Sequence, residues 1–350
     1  MNIVVDINHP ADVHLFKNFI LKMKEKRHKI LITATQKDVS IELLDNYGFD
    51  YINLGSYGCS IIKKIINIPI IDFKMYNTIK KFKPDIFVGF GSIRAAHVSR
   101  LIGKPCIAFE DTEHSILEHI LYMPFTNVIC TPSCYNKDLG KKQIRFNGYK
   151  ELSYLHPNYF NPNLAVLDKV GLNKEDIYII LRLVSWEAPH DVGQYGVQNK
   201  VAMVEELEKY GRVFITSEGK IDKELERYKL EISPEKMHDF MNYASLYIGE
   251  GATMATESAL MGIPSIYISS LVGTMGNLVE LEQKYGLIYS YNDQNKAMKK
   301  AIELIQKPDL KEEWKKKKDK LLKDKIDVTE FMIWFIENYP KSHIESLHNN

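Results

Sequence analysis

The sequence predicts an α/β protein made of two doubly wound halves, each a parallel sheet flanked by helices. Short apolar runs alternate with amphipathic helical stretches, the order that a parallel sheet with crossover helices requires. The alternation breaks down once, across 154–162, and then resumes. A length of 350 residues suits two domains that each bury a core.

The first strand is read over Ile3–Ile7, followed by the turn Asn8-His9-Pro10. Pro10 fits the first helical position, where its missing N–H costs nothing. Val13, Phe16, Phe19, Ile20 and Met23 recur behind it at helical spacing. A strand over 29–33 and a helix over 40–47 follow, the latter stopped by Gly48. Strands are expected at 85–89, 105–109 and 127–130, with a helix over 93–102. The stretch 154–162 reads as an exposed linker. The second series then runs strand 177–183, helix 199–210, strand 212–216, helix 234–243, strand 246–249, helix 254–261, strand 265–268, strand 287–290 and helix 295–306. The charged stretch 310–325 reads as a solvated helix rather than a nucleic-acid patch. Phe331, Met332, Trp334, Phe335 and Ile336 are too apolar for a free tail and must dock, whereas 342–350 is expected to fray. Domains are accordingly drawn at 1–158 and 159–325, with 326–350 packing back on the first.

Composition narrows the function. With 46 Lys and Arg against 45 Asp and Glu, the net charge of +1 argues against a dedicated nucleic-acid binder. Asp6 breaks any secretory apolar region, and no apolar run reaches the ~18 residues of a spanning helix. Four cysteines without a completing His set are read as thiols of a reducing cytoplasm, not as a disulfide framework or zinc site. The stretch 57–82 interleaves isoleucines with Lys63, Lys64 and Lys74. It reads either as a helix packed on the sheet or as a segment lying on the inner face of an anionic membrane.

Ligands of open α/β sheets sit beyond the carboxyl ends of the strands, so the loops there carry the chemistry. Gly249-Glu250-Gly251-Ala252-Thr253 follows one strand and opens a helix whose N–H groups form a diphosphate seat, with Glu257 one turn in. The plainer alternative is a glycine turn, a Thr253 cap and a surface Glu257. Asn8-His9-Pro10-Ala11-Asp12-Val13-His14 supplies the parts of a general base, or else His9 and Asp12 simply cap the helix. Glu110, Asp111, Glu113 and His114 crowd after another strand, where packed carboxylates raise one another's pKa. Arg182, Ser185, His190 and Asp191 lie in the loop after the first strand of the second half, with Trp186 able to stack on a ring.

The run Gly-x-Gly-Ala-Thr-x-x-x-Glu-x-Ala-x-x-Gly-x-Pro, from Gly249 to Pro264, resembles the donor-site motif of B-type glycosyltransferases. It is similar to that of the lipid-linked N-acetylglucosaminyltransferase of peptidoglycan synthesis. The chain to about Pro308 resembles a bacterial and archaeal family known only as glycosyltransferase-like, through its blocks at 6–18, 109–114, 148–157 and 182–193. The block at Glu110 is similar in position to the catalytic Glu block of non-hydrolysing UDP-N-acetylglucosamine 2-epimerases, but their His-x-Glu-Ala-Gly order is absent.

The resemblance implies two Rossmann-like domains facing a cleft and a metal-independent glycosyltransferase, with a nucleotide-sugar 2-epimerase as the alternative. A nucleotide-sugar donor, UDP-linked, would take Gly251, Ala252 and Thr253 on its diphosphate and Glu257 on its ribose. Arg182, Ser185 and His190 would complete that side. The acceptor, a cell-surface glycan or a lipid-linked sugar, would meet His9, Glu110, Asp111 and His114, with Asp12, His14 or Glu113 as base. No Asp-x-Asp pair, Gly-x-Gly-x-x-Gly after the first strand, or Gly-x-Ser-x-Gly elbow occurs, which disfavours metal-dependent transferases, dehydrogenases and hydrolases. No cofactor and no metal are therefore expected.

Overall fold

The computed structural model describes residues 1–58, 61–184 and 195–349. Two compact units emerge, Met1–Tyr159 together with Ile326–Asn350, and Phe160–Lys325. The first contains β1 (Asn2–Ile7), α1 (Pro10–Glu25), β2 (Lys29–Ala34), α2 (Ser40–Asn46), β3 (Tyr51–Asn53), α3 (Ile61–Ile79), β4 (Ile86–Phe90), α4 (Ile93–Ile102), β5 (Cys106–Phe109), α5 (Ile116–Tyr122), β6 (Val128–Pro132), β7 (Gln143–Phe146) and α6 (Leu152–Leu155). The second contains β8 (Tyr178–Leu183), α7 (Lys200–Leu207), β9 (Arg212–Ser217), α8 (Met237–Met241), β10 (Leu246–Gly249), α9 (Ala252–Met261), β11 (Ser265–Ile268), α10 (Gly276–Gln283), β12 (Ile288–Tyr291), α11 (Gln294–Ile305) and α12 (Leu310–Asp324). Then α13 (Val328–Glu337) and α14 (Lys341–Asn349) return to the first unit.

All strand pairs are parallel, in the orders β3-β2-β1-β4-β5-β6-β7 and β12-β11-β10-β8-β9. In the first sheet the order reverses between β1 and β4, the switch point at which such sheets open a ligand crevice. Ile3, Val4, Val5 and Ile7 are buried, as a strand covered on both faces must be. Asp6 sits among them without any exposure. It is satisfied there by Thr33 Oγ1 at 2.5 Å, Ser92 Oγ at 2.5 Å and Arg94 Nε at 2.7 Å, while Arg94 Nη2 donates to the Ile7 carbonyl at 2.7 Å. Burial alone would lower the Arg94 pKa, but the Asp6 carboxylate holds it above the ordinary arginine value.

Elements that lack strong periodicity are where the structure differs from the sequence reading. β3, β7 and α10 are additions: two are edge strands of three and four residues and the third is a polar eight-residue helix. The expected linker begins later than 154, because Tyr154 and Leu155 are buried in α6. The expected fraying end is helical, with Ser342 Oγ donating to the Phe335 carbonyl at 2.6 Å. The stretch from Ile61 forms α3, which buries Ile71, Met75 and Ile79 beneath it.

The returning helix α13 docks against α1 and α6 through Met332, Phe335 and Ile336, and Phe331 stacks on Phe146 with centroids 5.2 Å apart. Asp327 caps its start, and Glu337 closes its end onto Lys26 Nζ at 2.7 Å and His28 Nε2 at 2.9 Å. The sequence reading put Trp334 into that contact, but it is 39% exposed and serves the other face. Phe335→Ala should therefore cost about 3–5 kcal/mol and Trp334→Ala no more than about 0.5 kcal/mol in chemical denaturation. Equal costs would mean that the helix is docked in a different rotation.

Candidate functional site

In the second unit β10 ends at Gly249 beside β8, and this glycine is required by the neighbouring backbone. A Cβ there would lie 2.5 Å from the Arg182 carbonyl oxygen. At Gly251 a Cβ would lie 3.2 Å from Arg182 Cγ and 3.7 Å from its Nε, so the guanidinium stem runs across the N-terminal end of α9. The two glycines thus make room for the adjacent strand and its arginine. Arg182 is oriented by Glu218, whose Oε1 accepts from Nη2 at 2.6 Å.

Helix α9 starts at Ala252 with Gly251 as its cap residue and no capping side chain, so Thr253 is helical rather than a cap. Its first turn, Ala252 to Met254, is partly exposed while Ala255 to Met261 is buried. N–H groups at an uncapped helix start beside a cation form an anion seat. Glu257 is a correction: it is not on the surface but buried, with Oε1 2.9 Å from His238 Nε2. Burial pushes the Tyr247 hydroxyl well above its ordinary pKa although Arg182 opposes this, and that hydroxyl donates to the Gly251 carbonyl at 3.1 Å.

Glu250 and His238 were not singled out by the sequence reading. Glu250 Oε2 accepts from Val184 N at 2.8 Å and Oε1 from Val197 N at 2.7 Å, joining the two flanks of the β8 loop. Ser185, Trp186, His190 and Asp191 of that loop lie outside the described residues.

In the first unit the carboxyl ends of β1, β5 and β7 present two polar groupings. Asp12 and His9 form a capping box on α1. Asp12 Oδ2 accepts from Asn8 N at 2.8 Å and His9 N at 3.0 Å, and His9 Nδ1 accepts from Ala11 N at 3.1 Å. Burial pushes the Asp12 carboxyl up to about 7, outweighing the two backbone N–H groups that favour its charged form. His14, a turn further along, is packed away from these groups, with Tyr154 at 5.4 Å between ring centroids and the Tyr47 hydroxyl 3.2 Å from its Nδ1.

The second grouping gathers Glu110, Asp111 and Glu113, all buried, around residues that the spacing did not reveal. Glu110 Oε1 accepts from Asp111 N at 3.0 Å and Thr112 N at 2.8 Å, and Oε2 accepts from the Tyr122 hydroxyl at 2.7 Å. His119 Nε2 is 3.3 Å from the same Oε2. Glu113 Oε1 accepts from Asn136 N at 3.2 Å, and His114 beside it is half-buried. Lys150, from the turn after β7, donates to Asp111 Oδ2 and lies 3.3 Å from Glu151 Oε1. Burial would depress the Lys150 ammonium, but those two carboxylates hold its pKa above the ordinary lysine value. A buried ammonium against two carboxylates can position a hydroxyl-rich ligand and hold charge beside it. Among the described residues no group of three or more His, Cys, Asp and Glu side chains is arranged to hold a metal ion.

Two parallel sheets of seven and five strands flanked by helices have the B-type glycosyltransferase fold, which UDP-N-acetylglucosamine 2-epimerases share. The chain belongs to the family described as "Protein of unknown function (DUF354)", whose model matches residues 1–340. It is 22% identical over 298 residues to an uncharacterized protein of Methanocaldococcus jannaschii, covering 81% of this chain and 86% of that one. Its structure is similar to the UDP-GlcNAc 2-epimerase of Neisseria meningitidis bound to UDP-GlcNAc, with a TM-score of 0.63, 14% identity and 100% of both chains covered. It is also similar to the Streptomyces sp. SF2575 glycosyltransferase SsfS6 complexed with thymidine diphosphate, with a TM-score of 0.59, 12% identity and 95% and 99% covered.

The Asp12 environment carries a pH signature. Its folded pKa of about 7 lies above the ordinary 3.8, so between those values the folded chain holds a proton that the unfolded chain has lost. Stability contributed at this position is therefore full near pH 4, falls as pH rises toward 7, and is level beyond. Asp12→Asn keeps an oxygen for the two N–H groups and removes the titration. Relative to this variant, the wild type should lose on the order of 1 kcal/mol per pH unit across that window in denaturant titrations. Parallel curves for the two proteins would return Asp12 to the ordinary carboxylate range.

Proposed function

We propose that this protein is a metal-independent glycosyltransferase that moves a sugar from a UDP-linked donor to a hydroxyl of a cell-surface glycan or lipid-linked acceptor. The observation that carries the reading is the uncapped first turn of α9 with Arg182 laid across its start. In this reading the N–H groups of Ala252 and Thr253 take the diphosphate, and Glu257, set by His238, accepts from the ribose hydroxyls. As the bond from the anomeric carbon to the diphosphate oxygen breaks, negative charge grows on the diphosphate. A fixed cation and helix end lower the barrier only through that developing charge. The acceptor oxygen bonds to the anomeric carbon and gives up its proton to a carboxylate of the first unit. Asp12, whose pKa of about 7 suits a base at neutral pH, is the first candidate and Glu113 the second.

Incubation with UDP-sugars tests the reading. UDP release that depends on an added acceptor supports it. Conversion of UDP-N-acetylglucosamine to its 2-epimer without acceptor would establish isomerase chemistry instead, and binding without turnover a carrier role. Glu257→Gln should weaken UDP binding about 10- to 100-fold by calorimetry, the range for a hydrogen bond to a charged group. Unchanged affinity in a variant with a native melting curve would remove Glu257 from the nucleotide. Asp12→Asn or Glu113→Gln should lower turnover at least ~100-fold while UDP binding persists.

A further inference from the structure

Helix α3 has two apolar faces, of which only one is covered among the described residues. Ile71, Met75 and Ile79 form its inner face, buried in the core with Phe87, Ala95 and Val98. On the opposite side Ile66, Ile70 and Phe73 recur at helical spacing, and Ile66 is 60% and Phe73 66% exposed. A row of bulky outward residues, one on each successive turn of a helix already seated on a sheet, is far from the scattered single apolar residues of an ordinary surface.

The exposed apolar surface continues beyond this helix. His97 of α4 bonds Asp72 of α3 at 2.7 Å and the Leu121 carbonyl of α5 at 2.9 Å, so the three helices are joined at one point. The Phe125 ring, itself exposed, sits edge-on to His97 with centroids 4.7 Å apart. Leu101 lies one turn along from His97 and is likewise exposed, and α5 turns Ile120 outward at 65% exposure. The inner side of this same short helix carries Tyr122 and His119 onto Glu110.

Charge says what covers this surface. The stretch 61–83 holds six lysines and a single carboxylate, Asp72, which His97 engages. Lys74, Lys80, Lys81 and Lys83 are exposed beside or just beyond the apolar stripe. A second copy of the chain meeting this face symmetrically would set lysines against lysines. No described helix is long and apolar enough to cross a membrane, so an apolar stripe rimmed by ammonium groups has the form of a surface-lying contact rather than a span.

We infer that the outer face of α3 and α5 docks the first unit onto an anionic lipid bilayer, with Ile66, Ile70 and Phe73 entering the headgroup region and the lysines meeting lipid phosphates. Docking would set α5 between the bilayer and the Glu110 grouping. The inference does not depend on which reaction the protein performs.

The test is co-sedimentation of the full chain with vesicles of phosphatidylglycerol and phosphatidylcholine in equal parts, against phosphatidylcholine alone. Binding to the anionic vesicles, weakened by raised salt, is expected. Lys74→Glu with Lys80→Glu should lower partitioning at least about 20-fold, since each basic residue near such a surface contributes several-fold. Phe73→Asn with Ile70→Asn should abolish it. Both pairs are exposed, so unchanged melting curves confirm that only the surface was altered. No binding to anionic vesicles, equal binding to both kinds, or binding indifferent to all four substitutions overturns the inference. So does a dimer in sedimentation velocity that Phe73→Asn disperses while vesicle binding is absent.

Discussion

The first unit is organised around a charge that its strand buries, the Asp6 carboxylate. A carboxylate without access to water must be matched by donors, and three side chains supply them: Thr33 of β2, Ser92 at the start of α4, and Arg94 within α4. Removing one partner of such a pair typically costs about 3–5 kcal/mol, because the other charge is left unpaired in a medium that cannot solvate it. The pairing ties β1 to β2 and to α4 at the point where strand order reverses, the place at which such sheets open a ligand crevice. The Arg94 bond to the Ile7 carbonyl holds the chain just before the His9 and Asp12 turn.

The second unit solves a similar problem with a different residue. Glu250 is buried between two glycines and spends both oxygens on backbone N–H groups at either side of the β8 loop. Gly249 lets β10 approach Arg182, and Gly251 lets the arginine side chain cross the start of α9. What reads as a phosphate-binding glycine turn is thus first a packing device.

Buried acid groups of this chain meet different environments. Asp6 and Asp111 face cations, Arg94 and Lys150. Asp12 accepts from two backbone N–H groups, too little to offset its desolvation, and its carboxyl is pushed up to about 7. Environment, not residue type, separates a structural carboxylate from one able to exchange a proton near neutrality.

Alternating apolar runs made the parallel sheets legible, because buried strands and one-sided helices have different periods that burial itself imposes. The helix start at Pro10, the stop at Gly103 and the loop after β10 are all readable from local backbone rules. So was the docking of the last helix, since Phe335 and Met332 need cover. The sequence reading took Asp6 only as a break in an apolar run, and nothing local named its partner Arg94, which is 88 residues away. Separations of 39 and 19 residues likewise hid Lys150 from Asp111 and His238 from Glu257, and the rotation of the last helix decided the exposure of Trp334. Local propensity and period set which elements form, whereas pairings across the sheet depend on strand order, and strand order exists only once the chain has folded.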